Sequence, residues 1–127
     1  MQIVIDTNIV ISGILTNGAA ALFMDKVFGD YYDVVVTENI LKEYDWKLHS
    51  PKFGFQEDDI NFVLSWFREN AMMVEVDDEE PMPFMDHRDA TDKVFYWAAK
   101  RTGSLLVTGN IKHYPVEEMR TMLWELN

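Results

Sequence analysis

Short apolar runs, each closed by a polar residue and followed by a helical repeat, constrain this chain more than any other feature of it. Strands are expected at residues 2–5, 33–36, 72–76 and 104–107, with helices between them. Leu105, Leu106 and Val107 are apolar without alternation, as in a strand covered on both faces. Strands alternating with helices predict an α/β fold: a three-layer α/β/α sandwich around a central, mostly parallel sheet. The whole chain, 1–127, reads as a single domain without repeats or long linkers.

The helices are read from spacing and punctuation. Asp6 or Thr7 can cap a helix over 8–15. After the Asn17-Gly18 turn a second helix runs to about Phe28, with Ala21, Met24 and Phe28 at helical spacing and Gly29 at its end. Thr37 caps a third, whose stripe is Leu41, Tyr44 and Leu48. A fourth spans 57–70, where Ile60, Val63, Leu64 and Phe67 keep the i, i+3, i+4, i+7 pattern. The run Asp77-Asp78-Glu79-Glu80-Pro81-Met82-Pro83 reads as a solvated loop. A fifth helix starts near Ala90, turns Val94, Trp97 and Ala98 inward and ends at Gly103. Residues 117–126 read as a final helix. Met72-Met73 and Trp66-Phe67 read as core.

The totals narrow the chemistry. Without cysteine there are no disulfides, thiolate nucleophiles or cysteine zinc sites. His49, His87 and His113 are too scattered for a zinc triad, and surface or capping roles are their default; His113 is the strongest candidate because it follows Asn110. The opening Met1-Gln2-Ile3-Val4-Ile5-Asp6 has no basic segment before its charge, so no signal peptide is expected. No apolar run reaches the roughly 18 residues of a membrane span. A cytoplasmic protein is expected. Net charge is -11, from 22 acidic and 11 basic residues, which argues against tight nonspecific binding to a polyanion. Bound metal or a basic protein partner would offset part of it.

Ligands of parallel α/β sheets bind beyond the carboxyl ends of the strands. Asp6 ends the first strand, Glu43 lies on the helix after the second, Asp89 and Asp92 open the helix after the third, and Asn110 follows the fourth. Gathered carboxylates need protons or cations between them: two such charges about 4 Å apart repel by roughly 4 kcal/mol at an effective dielectric of 20. Oxygen donors suit Mg2+ or Mn2+. Each residue also has an ordinary account. Asp6 could be a helix cap, Asp89 and Asp92 a capping pair, Glu43 a solvated helical acid and Asn110 a turn residue. Their shared edge favours the joint reading.

Ile3-Val4-Ile5-Asp6-Thr7-Asn8, Asp89-Ala90-Thr91-Asp92-Lys93-Val94-Phe95 and Leu106-Val107-Thr108-Gly109-Asn110 resemble, in order, the opening, middle and closing motifs of PIN domains. Within that family the chain is most similar to the VapC-like ribonuclease toxins of toxin–antitoxin pairs. The resemblance implies a PIN-like sandwich, Mg2+- or Mn2+-dependent cleavage of RNA, and an antitoxin partner. It makes Asp6, Glu43 and Asp92 the metal-binding acids and Asp89 a cap or outer ligand. Asn110 stands where many members have Asp, which removes one charge and puts a two-metal site in doubt. Thr7, Asn8 and Thr108 would support the site.

Lys42, Lys47, Lys52 and Lys112 are candidates to guide an RNA backbone, or ordinary surface. Two rivals remain: a protein-binding module with weak or lost catalysis, and a phosphohydrolase with an aspartyl nucleophile. The second expects an acid where Asn8 stands. Trp66, Trp124 and the Trp46 region are candidates for a homodimer face, though core packing is the simpler account.

Overall fold

The structure is a computed structural model and describes residues 1–82 and 92–109, with the backbone of 120–122. Ten elements follow in chain order: β1 Gln2–Ile5, α1 Thr7–Leu15, α2 Ala19–Phe28, β2 Asp33–Val36, α3 Glu38–Leu48, α4 Glu57–Asn70, β3 Met72–Met73, α5 Asp92–Thr102, β4 Leu105–Thr108 and β5 Arg120–Met122. The strands form one five-stranded sheet in the order β3-β2-β1-β4-β5, and every pairing is parallel. Ile3, Val4 and Ile5 are all fully buried. Successive strand side chains point to opposite faces, so β1 is covered on both, and the fold is the α/β sandwich expected.

The strand order sets where a site can form. From β1 the chain builds outward through β2 and β3, then crosses to the other side for β4 and β5. The chain therefore leaves the carboxyl ends of β1 and β4 toward opposite sides, opening the crevice that α/β sheets use for ligands.

Local chemistry explains most boundaries. The Thr37 hydroxyl accepts the Ile40 N–H at 3.1 Å and caps α3. Gly103, with φ of 68°, closes α5, and the Ser104 N–H reaches back to the Ala99 carbonyl at 2.9 Å. At the end of α2 the left-handed position falls on Asp30, with φ of 61°, one residue after Gly29. Aspartate tolerates that conformation better than most side chains.

The α3 and α4 helices form an antiparallel pair clamped at both ends. Arg68 donates to both Glu38 oxygens, at 3.0 and 3.3 Å. At the other end His49 Nδ1 lies 2.8 Å from the Asp45 carbonyl and Nε2 meets Glu57 Oε1. These acceptors favour a ring that donates from both nitrogens, so the His49 pKa is raised, first by the Asp45 backbone and then by Glu57. A raised folded value stabilises the fold fully below the unfolded pKa of about 6.5 and loses that contribution as pH climbs through the folded value. The melting-temperature gap between the wild type and His49→Ala is therefore expected to narrow as pH rises from slightly acid to alkaline. A gap that widens with pH would contradict the assignment.

Several expectations are corrected. Residues 120–122, expected in a helix, form β5, where main-chain pairing with β4 overrides local helix preference. The third strand ends at Met73 rather than residue 76, and Met72 and Met73 are exposed because β3 is an edge strand. The most buried residues of α2 are Ala20, Phe23, Met24 and Val27 and those of α5 are Phe95, Tyr96, Ala98 and Ala99; of the residues expected inside, Met24 and Ala98 are buried, while Phe28, Val94, Trp97 and Trp66 pack against the core only partly buried. The acidic run 77–82 is a loop as expected, with Asp77, Glu79, Glu80 and Pro81 exposed, but it also straps over α5. The Asp77 carbonyl accepts from Arg101 Nε at 2.7 Å, the Glu80 carbonyl accepts from Trp97 Nε1 at 2.7 Å, and Met82 is buried. Asp78 is buried too, accepting from Asn39 Nδ2 at 3.1 Å.

The expected Asp89, His87, Asn110, Lys112, His113 and Trp124 lie outside the described residues. Among the described residues no single helix is long and apolar enough to cross a membrane.

Candidate active site

Asp6 sits where the topology opens. Its N–H continues the ladder onto the Val107 carbonyl at 3.0 Å, and its side chain is buried at the end of β1. Asp6 stands at the N-cap position of α1, but its carboxylate makes no capping bond to the helix. Instead Oδ2 accepts the hydroxyl of Thr108, the last residue of β4, at 2.9 Å. Thr108 is fully buried. Two adjacent parallel strands thus end in an acid and the hydroxyl that orients it.

The next residue, Thr7, carries an unusual group. Among the described residues its Oγ1 is the one buried side-chain oxygen or nitrogen without a hydrogen-bond partner. Leaving such a group unpaired costs about 1–3 kcal/mol, a penalty that a ligand oxygen would relieve.

Glu43 is half-buried on α3. Its pKa is raised, foremost by burial; the Lys47 ammonium opposes the shift and the Asp6 carboxylate adds to it. Asp6 and Glu43 therefore feel each other's charge. Tyr44, beside Glu43, locks the arrangement. Its hydroxyl donates to the Ile5 carbonyl at 2.5 Å, and its ring packs on Phe67 of α4 and Phe95 of α5. Burial, then the nearby Asp6, holds the Tyr44 pKa well above the ordinary phenol value. Spacing placed Tyr44 in the core but carried no signal for its hydroxyl bond across 39 residues.

Asp92 is half-buried at the start of α5, and α5 packs against β1, β4 and α3. Among the described residues, however, no three acidic or histidine side chains are grouped so that they could hold one ion. What is seen is the Thr108 hydroxyl on the Asp6 carboxylate, a charge interaction between Asp6 and Glu43, and the unpartnered Thr7 hydroxyl on the next residue. These all-oxygen donors fit a hard divalent cation rather than a thiophilic one.

The PIN domain family profile matches residues 2–112, spanning every motif discussed above, and the chain belongs to the PIN domain family. PIN domains are a nuclease-type fold whose members generally use divalent metals. Comparison with curated proteins found no match.

Proposed function

We propose that the protein is a divalent-metal-dependent endoribonuclease that hydrolyses RNA phosphodiester bonds in the cytoplasm, as the toxin of a toxin–antitoxin pair. The observation that carries the reading is the buried Asp6 at the switch point, oriented by Thr108 and coupled in charge to Glu43. Asp6, Glu43 and Asp92 would hold Mg2+ or Mn2+ directly or through water, with Asn110 assisting and Asp89 further out. When bound, such an ion supplies positive charge at the scissile phosphate and lowers the pKa of an attacking water.

The chain's own residues do the rest. The Thr108 bond keeps the Asp6 carboxylate from rotating. The unpaired Thr7 hydroxyl would gain a partner from a water or a phosphate oxygen. Asn8, the second residue of α1, would support the site, and Lys42, Lys47, Lys52 and Lys112 are candidates to hold the RNA backbone. With Asn110 in place of an acid, one ion is favoured over two. The toxin role rests on the motif resemblance, and a net charge of -11 suits a basic antitoxin.

The test is cleavage of single-stranded RNA by nuclease-free protein with Mn2+, Mg2+ or EDTA. Cleavage is expected with metal, loss with EDTA, and recovery when metal is restored. No cleavage with either ion overturns the proposal.

A second reading, a PIN-fold protein-binding module with weak or lost catalysis, draws on Asn110 standing where many members have Asp and on the net charge of -11. Titration calorimetry separates the two: no Mn2+ binding at millimolar metal favours the module.

A further inference from the structure

A cavity of about 410 Å³ lies between the first turns of α1 and the end of α3 with its following loop. Its lining includes Asn8, Trp46, Lys47, His49, Lys52 and Phe53. In a chain with 22 acids and 11 bases, every charged or titratable residue lining this cavity is basic. Trp46 is 68% exposed, and the Lys47 ammonium lies 5.1 Å from its ring centroid. Lys52 stands 5.5 Å from the Phe53 ring, which stacks on Phe55 at 5.6 Å.

We infer that this cavity is a subsite for a single-stranded RNA nucleotide flanking the scissile phosphate. The inference rests on the ribonuclease reading and names where its substrate lies. Three features select that occupant. Cations beside a largely exposed indole match a phosphate next to a base, the pairing that single-strand sites use. The volume lies at the small end of the range for ligand pockets, roughly 300–1,000 Å³, so it suits a nucleotide rather than a duplex. The cavity shares its elements with the acid site: Asn8 is two residues beyond Asp6, and Lys47 is one helical turn beyond Glu43 and acts on its charge. The Trp46 indole supplies the stacking face, Lys47 and Lys52 face the phosphate, and the clamp on His49 holds the α3 end in place.

The test is fluorescence anisotropy of a short labelled single-stranded oligoribonucleotide, titrated in EDTA with wild type, Trp46→Ala, Lys52→Ala and Asp6→Asn at several salt concentrations. Trp46 and Lys52 are exposed, so circular dichroism should show both variants folded. Trp46→Ala is expected to weaken binding roughly tenfold. Lys52→Ala should lower the salt slope by about 0.7. Asp6→Asn should bind at least as tightly as the wild type. Undetectable wild-type binding, or wild-type affinity and salt slope in both the Trp46 and Lys52 variants, overturns the subsite. Cleavage with Mn2+ is scored separately. RNA bound through Trp46 and Lys52 but never cut leaves the subsite standing and removes the nuclease reading. RNA cut by a protein indifferent to both substitutions does the reverse.

Discussion

Asp6→Asn is expected to reduce metal-dependent RNA cleavage by at least about 100-fold, the upper end of the loss typical when only an outer partner of a metal ligand is removed. The substitution deletes a charge. Asparagine has nearly the same shape, and its carbonyl oxygen still accepts the Thr108 hydroxyl. Removing the charge also relieves the repulsion that Asp6 exerts on Glu43, so the melting temperature should match or exceed that of the wild type without metal. Initial rates on single-stranded RNA, Mn2+ calorimetry and a thermal melt on the same preparation check all three statements. Undiminished cleavage would take Asp6 out of the chemistry. A collapsed melting temperature would mean that the buried charge is structural.

The second large effect falls on Tyr44. Its ring is fully buried against Phe67 and Phe95, so Tyr44→Ala should cost about 3–5 kcal/mol, as large aromatic truncations do. Domains of this kind are stable by only about 5–15 kcal/mol, so that variant approaches unfolding. Tyr44→Phe isolates the hydroxyl. It keeps the ring and strands the Ile5 carbonyl, for an expected loss of about 1–3 kcal/mol. Urea denaturation of both variants reads the two numbers. A phenylalanine variant as stable as the wild type would show that the Ile5 carbonyl finds another donor.

The parts of this molecule legible in the sequence are those governed by local chemistry. The Thr37 cap, the Gly103 turn and the periodicity of α4 each depend on residues within a turn or two, and each is seen where spacing placed it. The acid at the end of β1 was legible because strand ends gather at one edge once the sheet is parallel. What escaped depends on partners far along the chain. The strap over α5 reads as a solvated charge run, yet its carbonyls satisfy Arg101 and Trp97 and its Asp78 satisfies Asn39. The buried faces of α2 and α5 are wider than the expected stripes because aromatic and aliphatic residues occupy more than one side, and neighbours decide which turns furthest inward. For β5, an open sheet edge outweighed helix preference. Glu43 was singled out by strand order and resemblance, and its coupling to Asp6 required the fold.

The bond between Asp6 and Thr108 joins residues 102 positions apart. During synthesis the amino-terminal strand leaves the ribosome long before the strand that will lie on its open side. Until that later segment arrives, Asp6 lacks the hydroxyl that aims it and the wall that shields it from water. Whatever chemistry the crevice performs is thus withheld from the nascent chain until both strands are in place.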